Sequence, residues 1–271
     1  MNARSPMDKQ MEIFTGTLPE LTEQAAACII LEAWQCVREH GFFAMALSGG
    51  NSPRPLYRLL RTGIGADIFL RQGITPPKVT TEENGTIGMP WHECLFFWGD
   101  ERSVPPDDPR SNYRMAEETL FRGMENGGLR VYRMEGEKVA HEAAAAYEAR
   151  IRKTPAGSGG GLHGGMPTFD LVLLGLGPDG HIASLFPGNT EALEEKSHWV
   201  IAVPPPALEP RVPRLTLTLP VLNQARTVLF FVPSDEREEL AESIISGSRP
   251  ELPASMVRPV NGKAIWFKAQ P

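Results

Sequence analysis

The sequence predicts an α/β fold in which strands alternate with helices and pair into a mostly parallel sheet. Two observations carry this prediction. Apolar runs of strand length at residues 42–47, 94–98 and 170–174 lack the polar alternation of a strand with one face in water. Segments with helical periodicity separate these runs, and this order is typical of βαβ units with right-handed crossovers.

The other elements are predicted from periodicity and capping. Apolar residues recur at helical spacing over residues 21–37, and Gly41 ends that helix. Ser111 is the expected N-cap of a helix that continues to residue 121. Further helices are predicted through residues 56–60, 139–153 and 236–245, and further strands at residues 199–203, 215–219, 227–232 and 264–267.

The chain of 271 residues shows no break in composition, which favours a single domain spanning residues 1–271. Two stretches depart from the alternating pattern. Residues 62–90 are polar and contain Pro76 and Pro77, which indicates a surface insertion. Residues 156–165 are glycine-rich and are expected to form a flexible loop.

The charge and the cysteines narrow the class of protein. A formal net charge of −6 argues against a nucleic-acid partner and against an anionic membrane. The cysteines, Cys28, Cys36 and Cys94, are odd in number and lack metal-ligand spacing, which favours buried reduced thiols. No secretory leader pattern and no run of about 18 apolar residues is recognisable. A cytoplasmic protein, with no membrane partner and no metal, is therefore expected.

A glycine-rich turn after the strand at residues 170–174 delivers one histidine. The segment reads FDLVLLGLGPDGHIASLFPG, in which Gly175, Gly177 and Gly180 permit tight turns and close approach to a ligand. His181 lies just past the carboxyl end of the strand, where open α/β sheets bind ligands. Its residue type suits a general base. The alternative is a histidine that only hydrogen-bonds the turn.

Two further loops follow strand ends. In Ser48-Gly49-Gly50-Asn51-Ser52-Pro53, backbone N–H groups and a helix start suit a phosphate, although glycine is also common in such turns for steric reasons alone. In Asp100-Glu101-Arg102, the arginine can fork onto a phosphate or carboxylate, and Asp100 can act on a proton or orient another group. A local salt-bridge cluster is the alternative for this second loop. Arg214 lies at a strand start and, taken alone, does not indicate a functional site.

These pieces together resemble the 6-phosphogluconolactonase family. The matching strings are LSGGNSPRPLY, FFWGDERSVPPDDPRSNY, FDLVLLGLGPDGHIASLFPG, PRLTLTLPVLNQARTVLFFV and LPASMVRPVNGKAIWF. The resemblance implies a Rossmann-like fold, hydrolysis of 6-phospho-D-glucono-1,5-lactone in the oxidative pentose phosphate pathway, no cofactor and no metal. The substrate is then a small sugar-phosphate lactone, and the protein is expected to be a monomer or small homo-oligomer.

The resemblance also implies roles for individual residues. His181 matches the general base that activates water, and Arg102 matches a substrate-binding arginine; Asp100 and Asp179 match acidic positions of the active site. The phosphate and the rest of the substrate are assigned to Ser48, Gly49, Gly50, Asn51, Gly177 and Arg214. Asn112 matches a position expected to be structural. Ser184 is a conceivable nucleophile, but no G-x-S-x-G elbow surrounds it.

The chain departs from the family pattern near its C-terminus. Glu238 falls near the position of a phosphate-binding lysine, and Arg237 is a candidate replacement. Lys268 lies where the family has an acidic residue. A more distant resemblance is to glucosamine-6-phosphate deaminase, but Phe186 occupies the position of the deaminase glutamate. A sugar-phosphate sensor is a further alternative; such regulators add a helix-turn-helix, whereas here one helix is predicted before the first strand.

Overall fold

The computed structural model describes residues 11–79, 85–124, 128–158 and 165–270. Its strands, in chain order, are β1 (Met11–Gly16), β2 (Phe43–Leu47), β3 (Ile64–Gly65), β4 (Thr86–Ile87), β5 (Cys94–Trp98), β6 (Asp100–Arg102), β7 (Arg130–Val131), β8 (Leu171–Leu174), β9 (Val200–Val203), β10 (Arg214–Leu217), β11 (Thr227–Val232) and β12 (Lys263–Ala269).

The α-helices are α1 (Leu18–His40), α2 (Arg54–Thr62), α3 (Ala66–Arg71), α4 (Asn112–Ala116), α5 (Ala140–Arg152), α6 (Pro155–Ser158), α7 (Thr190–Glu194), α8 (Leu219–Asn223) and α9 (Glu238–Ile245). A π-helical turn, Glu117–Phe121, continues α4. Single 3₁₀ turns lie at Trp91–Glu93, Asp235–Arg237 and Pro253–Met256.

Seven parallel strands form the central sheet in the order β1-β12-β11-β8-β2-β5-β7. Every residue of β2, β5, β8 and β11 is buried, as the unbroken apolar runs predict. The α/β fold with a mostly parallel sheet is thus confirmed. Because the strands are parallel, their carboxyl ends meet at one edge of the sheet.

Helix α1 begins and ends on local signals that are readable in the sequence. The Glu20 carboxylate accepts hydrogen bonds from the backbone N–H and the hydroxyl of Thr17, both at 2.8 Å. At the other end, Gly41 adopts a left-handed conformation, with φ of 86°, and its N–H donates to the carbonyl of Val37. The helix buries one apolar face against the sheet, which fixes where β2 starts.

The second sheet differs from the sequence prediction. Residues 100–102 form β6 rather than a loop, and β6 pairs antiparallel with β10, which also pairs with β9. The predicted strand at residues 215–219 is shifted: β10 starts at Arg214 and ends at Leu217, and Leu219 begins α8, which has a proline in its first turn. β1 precedes α1, so the interpretation that a helix comes before the first strand was wrong.

The two irregular stretches contain regular elements. Within residues 62–90, β3 pairs with β4, Phe69 of α3 is fully buried, and the carbonyl of Gly88 accepts a hydrogen bond from the Trp34 side chain at 2.9 Å. Residues 80–84 lie outside the described residues. Of the glycine-rich stretch, residues 159–164 also lie outside them, but residues 155–158 form α6, and Ala156 is buried against the body of the protein. Residues 156–158 thus belong to a short helix rather than to a loop.

Candidate active site

A cleft of about 230 Å³ lies at the carboxyl edge of the sheet, beyond β2 and β8. It brings together nearly all residues that the sequence singles out: Ser48, Gly49, Gly50, Asn51, Asp100, Arg102, Gly177, His181 and Arg214. Asp179 is not in its wall but contacts His181 from behind. Segments more than 100 residues apart in sequence therefore meet at one edge, as the topology of a parallel sheet requires.

His181 is oriented by the carboxylate of Asp179. The Nδ1 atom of His181 lies 2.5 Å from Oδ1 of Asp179, which also accepts the His181 backbone N–H at 3.2 Å. Burial alone would raise the pKa of Asp179, but its hydrogen bonds with the ring and the backbone N–H of His181 lower it below its ordinary value of 3.8. An ionised Asp179 favours the tautomer with a proton on Nδ1, which leaves the Nε2 lone pair free to accept a proton.

Two neighbours fix the plane of the His181 ring. A side chain at Gly177 would overlap the ring, so the backbone there passes directly beneath the imidazole. On another side the Phe186 ring lies with its centroid 4.6 Å from that of His181. The glycine of the turn is therefore needed for space at this position, whereas Gly180, with φ of 84°, is needed for its backbone conformation.

The loop after β2 is held by a buried tyrosine. The Tyr57 hydroxyl accepts the N–H of Ser48 at 2.9 Å and donates to the carbonyl of the same residue at 2.7 Å. Tyr57 is fully buried, which raises the pKa of its hydroxyl and keeps it protonated. Gly50 adopts a left-handed conformation, and α2 begins at Arg54 just beyond. All six residues of the loop line the cleft, and α2 starts directly after them, a position compatible with an anion site.

Two arginines face each other across the second sheet. Arg102 of β6 and Arg214 of β10 are directly opposite in the antiparallel register, and both line the cleft. Like charges in opposite positions disfavour pairing, so such a pair is typical of a site built for an anionic ligand. Burial, together with the charge of Arg102, lowers the pKa of Arg214; the nearby Asp100 carboxylate opposes this.

Asp100 lies near Arg214. Its Oδ1 accepts a hydrogen bond from Nδ2 of Asn112 at 3.1 Å, and its Oδ2 accepts one from Oγ of Ser184 at 2.5 Å. Nη1 of Arg214 lies 4.0 Å from the same Oδ2. Ser184 is fully buried and committed to this bond, which argues against its use as a nucleophile.

Glu101 faces away from the cleft and closes the start of α4. Its carboxylate accepts the backbone N–H groups of Asn112 and Tyr113 at 2.7 and 2.8 Å, and the Ser111 hydroxyl at 3.0 Å. Burial nonetheless raises the pKa of Glu101. The sequence offered no signal for this contact, because the partners lie ten or more residues along the chain.

The C-terminal departures from the family pattern lie in one place. Nζ of Lys268 is 3.0 Å from Oε1 of Glu238 and 3.2 Å from Oε2 of Glu242. Burial alone would lower the pKa of Lys268, but the two carboxylates raise it above its ordinary value of 10.5. Arg237 lines a small pocket that shares Ser52 with the main cleft. Arg237 therefore lies near the Ser48–Pro53 loop, whereas Lys268 is paired with the two glutamates.

A second polar cluster lies at the opposite edge of the sheet, before β8. Ligand atoms of Cys36, His40 and Asp170 lie within 4.8 Å of one another, a juxtaposition that the sequence analysis did not recognise. Oδ1 of Asp170 is 3.1 Å from Nε2 of His40 and 3.2 Å from Nε of Arg226, and its Oδ2 accepts the N–H of Ala44. Two cationic or donor groups thus already face this carboxylate.

The fold and the cleft define the class of protein. A parallel sheet with a His–Asp pair and opposed arginines at its carboxyl edge is the arrangement of a Rossmann-like α/β enzyme. Of the helices that the structure describes, none combines the length and the apolar character needed to cross a membrane.

Comparisons with known proteins agree with this class. The family described as glucosamine-6-phosphate isomerases/6-phosphogluconolactonase matches residues 17–266. A 6-phosphogluconolactonase from Synechocystis sp. is 33% identical over 256 residues, which covers 92% of this chain and 91% of that protein. The Homo sapiens 6-phosphogluconolactonase is 32% identical, covering 93% and 85% of the two chains. The chain belongs to the glucosamine-6-phosphate isomerase/6-phosphogluconolactonase family.

Solved structures show the same architecture. The 6-phosphogluconolactonase from Thermotoga maritima superimposes with a TM-score of 0.74 at 28% identity, covering 96% of this chain and all of the other. The enzyme of the same name from Trypanosoma cruzi gives a TM-score of 0.73 at 30% identity, covering 96% and 94%. The similarity therefore extends over nearly the whole chain.

Proposed function

We propose that this protein hydrolyses 6-phospho-D-glucono-1,5-lactone to 6-phospho-D-gluconate, the second step of the oxidative pentose phosphate pathway. The observation that carries the proposal is the His181–Asp179 pair in the cleft, with Nδ1 of the imidazole committed to the carboxylate. Membership of the family and the names of its relatives support the substrate class.

The proposed reaction needs one base and no covalent intermediate. Nε2 of His181 accepts a proton from water while the water oxygen forms a bond to C1 of the lactone. The carbonyl π electrons move to oxygen and give a tetrahedral oxyanion. When the carbonyl reforms, the bond from C1 to the ring oxygen breaks, and the imidazolium returns its proton to that oxygen. A lactone is an activated ester, so no covalent nucleophile is required. A positioned general base, which typically accelerates a reaction about 10²–10⁴-fold, suffices.

The remaining cleft residues bind and orient the substrate in this proposal. The Ser48-Gly49-Gly50-Asn51 loop receives the phosphate, and Arg102 and Arg214 supply positive charge across the cleft. Gly177 gives the ring of His181 its space. The phosphate is remote from C1, so its binding energy serves to orient the reacting carbon.

The alternative of a glucosamine-6-phosphate deaminase requires a catalytic glutamate that this chain does not have at the matching position. The position of the deaminase glutamate is Phe186, whose ring packs against His181 and offers no proton. A sensor without catalysis has no use for a histidine whose tautomer is fixed by a carboxylate beside an open cleft. Both alternatives therefore explain fewer of the residues that line the site.

The cysteines indicate the cellular compartment of the enzyme. We infer a cytoplasmic protein, because Cys28, Cys36 and Cys94 are free thiols and two of them are buried. A monomer or small homo-oligomer fits a cleft built from one chain. Although Cys28 is only partly buried by surface exposure, desolvation and the nearby Glu32 raise its pKa to about 12, so this thiol stays protonated at neutral pH.

A coupled assay tests the proposal. Glucose 6-phosphate is oxidised enzymatically to fresh lactone, and disappearance of the lactone is timed with and without this protein. Loss of lactone at its spontaneous rate, at micromolar protein, would refute the assignment.

A further inference from the structure

Asp100 has its carboxylate surrounded by side chains of the protein itself. Oδ1 accepts from Asn112, Oδ2 accepts from Ser184 at 2.5 Å, and Nη1 of Arg214 lies 4.0 Å from Oδ2. The residue is 6% exposed. A carboxylate whose oxygens are occupied in this way is well fixed and poorly placed to take a proton from a substrate.

The partners of Asp100 come from different walls of the cleft. Ser184 follows His181 by three residues in the same turn. The amide of Asn112 packs so closely on Gly49 that a side chain at that glycine would overlap it. Asp100 therefore links the His181 turn and the loop after β2 to the strand that carries Arg214.

The guanidinium of Arg214 and the imidazole of His181 both lie near the ring of Phe186. Its Cζ is 6.0 Å from the centroid of the Phe186 ring, and that ring is in turn 4.6 Å from the ring of His181. Its Nη2 and Nε donate to the carbonyls of Pro210 and Val212, at 2.9 and 3.3 Å. These bonds leave Nη1 facing Asp100 and the cleft.

We propose that Asp100 is a positioning residue which, itself fixed by Ser184, holds Arg214 beside His181, where the guanidinium stabilises the oxyanion that develops on the lactone carbonyl. This inference rests on the proposed function. In the sequence analysis Arg214 is assigned to binding the phosphate and the rest of the substrate, whereas here it stabilises the oxyanion. Of the two roles proposed there for Asp100, acting on a proton and orienting another group, this inference selects the second. A charge held in place before the reaction costs no reorganisation in the transition state.

The test compares Ser184→Ala with wild type on the phosphorylated lactone and on the lactone without phosphate. Removing the hydroxyl frees Asp100, so kcat should fall about 10-fold on both lactones, with KM changed by no more than about threefold. Ser255→Ala is the matched control: its buried hydroxyl donates to the carbonyl of Arg249, outside the cleft, and its loss should leave kcat unchanged.

Asp100→Asn is the second variant, and it keeps the proposal testable if Ser184→Ala fails to fold. Asparagine has nearly the same volume as aspartate. It should lower kcat by about 10- to 100-fold on both lactones and keep the limbs of the pH–rate profile. Loss of one limb would assign proton transfer to Asp100 and overturn the proposal. So would a rise in KM confined to the phosphorylated lactone, or wild-type kinetics in both variants. A wild-type protein without lactonase activity would instead refute the proposed function.

Discussion

Gly177 lies directly against the imidazole of His181, and no side chain fits between them. A Cβ atom built at Gly177 overlaps the Nδ1 and Cε1 atoms of the ring. The two residues are also joined through the backbone, because the N–H of Gly177 donates to the carbonyl of His181 at 2.9 Å. The glycine therefore decides where the proposed base can sit.

Gly177→Ala should displace the His181 ring and lower kcat by about 10²-fold, since proton transfer depends on hydrogen-bond reach between base and water. The backbone conformation of Gly177 is open to alanine, so the melting temperature should change little. Steady-state kinetics and thermal unfolding measure the two effects separately.

Gly99→Ala is the control for that experiment. A Cβ at Gly99 meets nothing closer than the carbonyl oxygen of Leu47 at 3.6 Å, which is an ordinary contact. Gly99→Ala should keep wild-type kcat. Equal activity of the two variants would remove the steric argument about His181.

The sequence predicted the buried half of the fold well. The apolar run at residues 227–232 coincides with β11, and the segment at residues 94–98 coincides with β5. Such strands are specified by local composition, because both of their faces need apolar side chains. Gly41 likewise marked the end of α1 correctly, since its left-handed conformation is a local requirement.

The strands that were missed are specified by tertiary contacts. Asp100, Glu101 and Arg102 have low β propensity, yet they form β6 because Glu101 closes α4 and the other two face the cleft. β1 is an edge strand whose residues are mostly exposed, so it lacks the apolar run of its neighbours. The bond between Ser184 and Asp100 joins positions 84 residues apart and has no signature in the sequence.

The phosphate should contribute strongly to the rate. If two charge-assisted hydrogen bonds, worth about 1.5–3 kcal/mol each, are lost, the lactone without phosphate should have a kcat/KM roughly 10²–10⁴-fold lower. Parallel kinetics on the two lactones measure this preference. Equal values would reopen the assignment of the Ser48–Pro53 loop.

Arg237 should supply part of that preference. It lines the pocket that shares Ser52 with the cleft, and the ion pair that the structure gives it is a 3.6 Å contact with the exposed Glu236. Arg237→Ala should therefore reduce the preference for the phosphorylated lactone by about 10-fold. Arg249→Ala, which removes an exposed arginine paired with Glu251, should not. If both variants keep the full preference, Arg237 does not replace the family's lysine.

The protein should release no ammonia from glucosamine 6-phosphate. Opening of the sugar ring and proton shuttling by the deaminase require a carboxylate, and Phe186 occupies that position with its ring against His181. Ammonia is measured in a coupled assay with His181→Ala as the background. Turnover above that background would show that the carboxylate is dispensable.

Chelators should leave lactonase activity unchanged, because the proposed water activation belongs to His181 rather than to a Lewis acid. Activity is compared before and after dialysis against EDTA. The Cys36, His40 and Asp170 cluster lies at the opposite edge of the sheet, so metal binding there would affect stability rather than the reaction. Loss of activity that zinc or magnesium restores would contradict the metal-free mechanism.

Hydrolysis of freshly generated 6-phosphogluconolactone by wild type and by His181→Ala tests the central claim most directly. Both proteins are assayed at equal concentration, after circular dichroism has established that both are folded. The mechanism predicts lactone hydrolysis well above the spontaneous rate for wild type and a kcat about 10²–10⁴-fold lower for His181→Ala, because the lost group transfers a proton in the transition state. Near wild-type kcat in the variant would contradict the assignment of His181 as the base.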